Sequence, residues 1–117
     1  MGDLKPLVFL AGSKKDLLAL PAAVIQRFGY ALYLAQCGKK HDSASVLRGF
    51  GSAGVLEIVE DLRGNTYRCM YTVKVAGVVY VLHVFQKKSK AGIATPQHDM
   101  DLIHDRLKLA LSRSKEP

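Results

Sequence analysis

The residues able to do chemistry crowd into the second half of the chain. Three strand-like runs, Val55 to Leu62, Thr66 to Val75 and Val78 to Phe85, follow one another, with Gly64-Asn65 and Ala76-Gly77 between them as two-residue turn candidates. Counting back from such turns pairs Met70 with His83, Arg68 with Phe85, Asp61 with Arg68 and Tyr71 with Leu82. Side chains alternate along a strand. One face therefore carries Glu57, Asp61, Arg68, Met70, Thr72, His83 and Phe85, with Lys87 just beyond. The other carries Ile58, Cys69, Tyr71, Val73, Tyr80, Leu82 and Val84, apolar enough to receive helices. The polar face offers what metal-free RNA cleavage needs: an acceptor for the 2′-hydroxyl proton, cations for the phosphate charge, and a donor for the leaving oxygen. His83 is the titratable group best suited to neutral pH. Phe85 offers a ring for base stacking, and Gln86-Lys87-Lys88-Ser89-Lys90 gathers positive charge at one end of the face. A solvated sheet face is often polar with no function, and a lone histidine on a strand is more often structural.

The elements that must position these residues are readable in order. Leu7 to Leu10 is a short edge strand. Ser13 and Asp16 make a weak capping box ahead of Leu17, Leu18 and Leu20, and Pro21 opens a second helix with Ile25, Phe28, Leu32 and Ala35 at helical spacing. Gly38 stops it. Val46 to Phe50 reads as a short strand, and Gly49, Gly51 and Gly54 as a loop or bulge. After a basic connection, Thr95 caps a last helix with Pro96 as its first residue and Met100, Ile103, Leu107 and Ala110 on one stripe. Residues 112–117 fray. The expected class is α+β, with the helices segregated on one side of a small antiparallel sheet.

Composition bounds the function. The chain has 117 residues, 49% of them hydrophobic and 23% charged, which suits one globular domain spanning 1–117 and excludes wholesale disorder. No apolar stretch approaches the roughly 18 residues of a membrane span. Seventeen Lys and Arg against ten Asp and Glu give a net charge of +7, which attracts polyanions. Cys37 and Cys69 are far apart and lack CxxC spacing, so they read as reduced cytoplasmic thiols. No carboxylate cluster suits a metal, and no glycine loop suits a nucleotide cofactor, so neither is expected.

The blocks Val55-Leu56-Glu57-Ile58-Val59, Thr66-Tyr67-Arg68 with Tyr71, Tyr80-Val81-Leu82-His83-Val84-Phe85-Gln86-Lys87-Lys88-Ser89-Lys90, and Thr95-Pro96 resemble the phage-derived HigB-like toxin family of the RelE/ParE superfamily. Within it, the toxins of Tad–Ata type toxin–antitoxin systems are most similar. The resemblance covers roughly Leu7 to Leu111 and implies a RelE-like fold: two N-terminal helices on a small antiparallel sheet, then a C-terminal helix. It implies a toxin that cuts mRNA on the ribosome as an endoribonuclease, and a cognate antitoxin, usually of helix-turn-helix type, that blocks it. Arg68 falls where such toxins bind phosphate, and Lys87 and Lys88 where they place basic residues after the last strand. Two departures stand out. No tyrosine follows Tyr80, and Val59 stands where many relatives have arginine. The resulting assignment makes Arg68, His83, Lys87 and Lys88 catalytic, Phe85, Gln86 and Lys90 RNA-binding, and Glu57 and Tyr71 supporting. ParE-type relatives act on DNA gyrase instead, and a non-catalytic basic RNA- or ribosome-binding protein is the plainest alternative.

Overall fold

A computed structural model describes residues 3–87 and 95–114. The chain forms β1 (Leu7–Phe9), α1 (Ser13–Leu18), α2 (Ala22–Gln36), β2 (Ala44–Val46), a 3-10 turn (Gly51–Ala53), β3 (Val55–Leu62), β4 (Asn65–Val75), β5 (Val78–Lys87) and α3 (Gln97–Ser114). The predicted strand over 46–50 lies earlier, as β2. Pro21 and Gly12 sit just outside the helices they open.

The strands make one five-stranded sheet in the order β1-β5-β4-β3-β2. This corrects the expected architecture in two respects. The sheet is mixed, because β1 runs parallel to β5, pairing Leu7 with Val79 and Phe9 with Val81. The helices are not segregated on one side. Leu17 of α1 and Val24, Phe28, Ala31 and Leu32 of α2 pack on one face, against Ile58, Cys69, Tyr71, Val79 and Val81. Ile103, Leu107 and Ala110 of α3 pack on the opposite face, against Met70, Val75, Tyr80 and Leu82. The physical reason lies in β4 and β5, which are buried on both faces along most of their length. Such strands read as continuous apolar runs rather than as alternation, and Val78 to Phe85 is such a run.

Both hairpins turn on two residues with positive φ: Arg63 (52°) and Gly64 (81°), then Ala76 (55°) and Gly77 (70°). Mirror-image turns of this kind favour glycine in the second central position. The first turn is therefore Arg63-Gly64, and Leu62 pairs with Asn65. The pairing of β3 with β4 moves by two residues from the expected one, which keeps every β3 side chain on its expected face. Arg68 lies opposite Val59, and Asp61 opposite Thr66. Across β4 and β5 the pairs Met70–His83 and Arg68–Phe85 stand as expected. Register shifts between Met70 and Tyr71 and between Thr72 and Val75 bring Tyr71 opposite Val81 rather than Leu82. They also carry Tyr80 and Leu82 to the α3 face.

If α3 seals the second face, Ile103, which is fully buried, behaves as core. Ile103→Ala should lower unfolding free energy by about 2–5 kcal/mol in urea titration. A loss within about 0.5 kcal/mol would mean that α3 is solvated.

Candidate functional site

Arg68 and Glu57 meet on the α3 face. Glu57 pairs with Met70 and lies diagonal to Arg68, whose Nη1 donates to Glu57 Oε2 at 2.9 Å. Their side chains are only 8% and 16% exposed. The expected Asp61–Arg68 pair does not form, and Asp61 accepts from the Thr66 hydroxyl at 2.7 Å. Two charges out of water cost several kcal/mol each before their attraction offsets the loss. They are tolerable here because they bond each other on the floor of an open cleft.

That cleft, of about 690 Å³, has three walls. Val46, Leu47 and Arg48 come from the end of β2 and the loop after it, Glu57 and Arg68 from the sheet, and Thr95, Gln97 and Met100 from the start of α3. The Arg48 loop lies close against α3. Gly49 has φ of 102°, and a Cβ there would meet Met100 Cε at 3.3 Å. Phe50 stacks on His104 with ring centroids 4.2 Å apart. Arg48 was absent from the sequence-based site. Its signal was a cation between the glycine-rich loop and a strand, which is weak without the fold.

His83 is on the predicted face but does not line this cleft. Its Nε2 is 2.8 Å from Asp99 Oδ1, and its Nδ1 is 3.1 Å from Arg106 Nη1. A guanidinium only donates, so Nδ1 accepts and Nε2 carries the proton it gives to Asp99. Arg106 Nη1 also donates to the Leu82 carbonyl at 3.0 Å. His83 thus ties β5 to α3 through both ring nitrogens. Burial lowers its pKa most, and Arg106 pushes the same way, against the opposing pull of Asp99 and Asp16. Asp99 and Arg106 were also absent from the sequence-based site, because only the fold brings α3 over His83.

The other predicted residues scatter. Phe85 is half-buried and stacks on His83 at 4.7 Å. Gln86 is exposed on the opposite face and donates to Asn65 Oδ1 at 3.1 Å. Lys87 is buried opposite Thr66, at the end of the Arg68 face. Tyr71 sits in the α1–α2 core, where burial pushes its hydroxyl pKa up to about 12. Lys88 and Lys90 lie outside the described residues. Thr95 Oγ1 is buried with no hydrogen-bond partner among the described residues, so it does not make the expected cap. Among the described residues no group of three or more His, Cys, Asp or Glu could hold a metal ion. No helix there is long and apolar enough to cross a membrane.

His83 gives a test by pH. Its folded pKa lies below the ordinary value, so the unfolded chain binds the proton more readily. The stability it contributes is whole above a pH of roughly 6.5 and falls as pH drops through that value towards the folded pKa. The side-chain amide of His83→Gln can accept from Arg106 and donate to Asp99. This variant should match the wild-type melting temperature near pH 8 and lose less of it between pH 7.5 and 5.5. Equal acid sensitivity would place the titration elsewhere.

A family model described as phage-derived protein Gp49-like (DUF891) matches residues 15–108. That span reaches from α1 to α3 and includes every wall of the cleft. No curated protein matches the chain.

Proposed function

The chain belongs to the phage-derived Gp49-like family, a toxin-like family, and from that premise we propose that it is the toxin of a toxin–antitoxin pair that cuts mRNA on the ribosome without a metal. The observation that supports this reading best is the ion pair of Arg68 and Glu57 on the floor of a cleft with a second arginine, Arg48, on its wall. A buried pair seldom adds much to stability over a well-packed apolar one. A cation facing a cleft in a chain of net charge +7 suits a phosphodiester.

The chemistry follows from what each group can hold. Arg68 neutralises the charge that grows on the non-bridging oxygens. Glu57 takes the proton of the 2′-hydroxyl, the 2′-oxygen attacks phosphorus, and the bond to the 5′-oxygen breaks. Lys87 protonates the leaving oxygen. The products are a 2′,3′-cyclic phosphate and a 5′-hydroxyl. His83 holds α3 in place instead of moving a proton, because Arg106 and Asp99 engage both of its nitrogens. Lys88 and Lys90 add electrostatic attraction for the RNA. The partner that silences the toxin is an antitoxin whose acidic surface covers the cleft.

Glu57→Gln keeps an acceptor for Arg68 and removes the base. It should fold, lose growth arrest on induction, and slow single-turnover cleavage on programmed ribosomes by about 10²–10⁴. Arg68→Lys should also fold, and should lose activity because a lysine cannot make the guanidinium's forked contact. Mapping mRNA 5′ ends after induction checks the reading directly. Cuts within translated codons support it. DNA damage with intact mRNA would point to gyrase, and harmless expression to a binding protein.

A further inference from the structure

We propose that the cleft seats two consecutive phosphates of a bound RNA strand, the reacting one at Arg68 and its neighbour at Thr95 and the first turn of α3, with Arg48 facing them. The inference rests on the RNA-cleaving reading above and adds a second seat to it.

Four independent features converge on that seat. First, the Thr95 hydroxyl oxygen is buried in the cleft wall and no group among the described residues bonds it. Buried hydroxyls in native proteins nearly always have a partner, and an anion's oxygen would supply one. Second, α3 is an 18-residue helix whose start forms the same wall. Met100 N donates to Pro96 O at 3.0 Å, so the amides of Gln97, His98 and Asp99 precede that bond. Pro96 has no amide hydrogen to lose. Such an end carries partial positive charge and free donors. Third, the acid in this first turn is held elsewhere: the Asp99 carboxylate is bonded to His83. Gln97, which also lines the cleft, donates its side-chain amide to Asp101 at 2.8 Å, so that carboxylate too is engaged. Fourth, Arg48 on the facing wall belongs to no ion pair among those of the described residues. The cleft's 690 Å³ is the room of some twenty waters at roughly 30 Å³ each, enough for a stretch of sugar–phosphate backbone.

A second seat has a chemical purpose. A neighbouring phosphate does not change charge during cleavage, so holding it aligns the strand and fixes which 2′-hydroxyl meets Glu57. Thr95 is therefore a positioning residue, and it should act on binding more than on the chemical step.

The probe is 2′-deoxyadenosine 3′,5′-bisphosphate, which carries two phosphates on one sugar and cannot be cleaved. Titration calorimetry compares it with the 3′- and 5′-monophosphates on the full chain. The wild type should bind the bisphosphate about tenfold or more tighter than either monophosphate, the range that charge-assisted hydrogen bonds supply. Thr95→Val should reduce that preference to about threefold or less, and Thr95→Ser should keep it. Val removes an unpaired hydroxyl, so the variant's melting temperature should equal or exceed the wild type's. A purely structural Thr95 would instead lower it and leave the preference intact, which would overturn the second seat. A wild type that binds single-stranded RNA and a monophosphate but shows no bisphosphate preference would also overturn the second seat alone. A wild type that binds neither RNA nor any phosphate would overturn the RNA reading, and this seat with it.

Discussion

The polar half of this sheet depends on one buried histidine bonded through both ring nitrogens. Leu82 is the extra residue where Met70–His83 gives way to Tyr71–Val81. Its carbonyl receives Arg106, which also bonds His83 Nδ1, while Asp99 receives Nε2–H. A ladder irregularity, a tautomer and a helix orientation are thereby linked. Arg106 and Asp99 lie two helical turns apart on α3, so the two bonds fix both the height and the rotation of that helix over β5. With α3 fixed, Ile103, Leu107 and Ala110 fill the second core, and the helix start faces Arg68 from across the cleft.

Electrostatics then follows from where α3 stops covering the sheet. Under the body of the helix the sheet carries apolar side chains such as Met70 and Leu82. Past its start, the same face carries Glu57, Arg68 and, at its end, Lys87. Glu57 and Arg68 lie at the boundary between a dry core and an open cleft. There a charge is screened less than on a free surface and remains reachable by a ligand. On an exposed sheet the same Arg–Glu pair would be worth little.

Much of this was legible in the sequence, and the failures have physical causes. The spans of β1, β3, β4 and β5, the α3 stripe and the set of residues sharing the Arg68 face were readable, because hydrophobic period and turn glycines are local signals. The face survived even a mistaken turn, since Arg63-Gly64 in place of Gly64-Asn65 shifts the pairing by an even number. Tyr80 and Leu82 were assigned to the wrong face because a bulge shifts parity and leaves no mark in composition. The direction of β1 was not legible either: three residues carry no signal of which neighbour they join. The partners of His83 were not legible, because Asp99 and Arg106 of α3, which engage both its nitrogens, lie 16 and 23 residues away in sequence. Arg48 and Thr95 were invisible as site residues because each is unremarkable until the loop after β2 and the start of α3 face each other.

The second core and the cleft are two consequences of one helix placement, which constrains how such a site can change. A substitution that tilts α3 alters the wall formed by Thr95 and Gln97 along with the packing of Ile103, so binding and stability move together. A substitution at Arg48 alters the opposite wall without touching the core, because that side chain is exposed on a loop. Variation in what the cleft accepts is therefore cheapest on the loop after β2 and most costly on α3. The loop wall is where the shape of the cleft can vary within one fold, while the buried Glu57–Arg68 pair forms its floor and the His83 junction holds the frame.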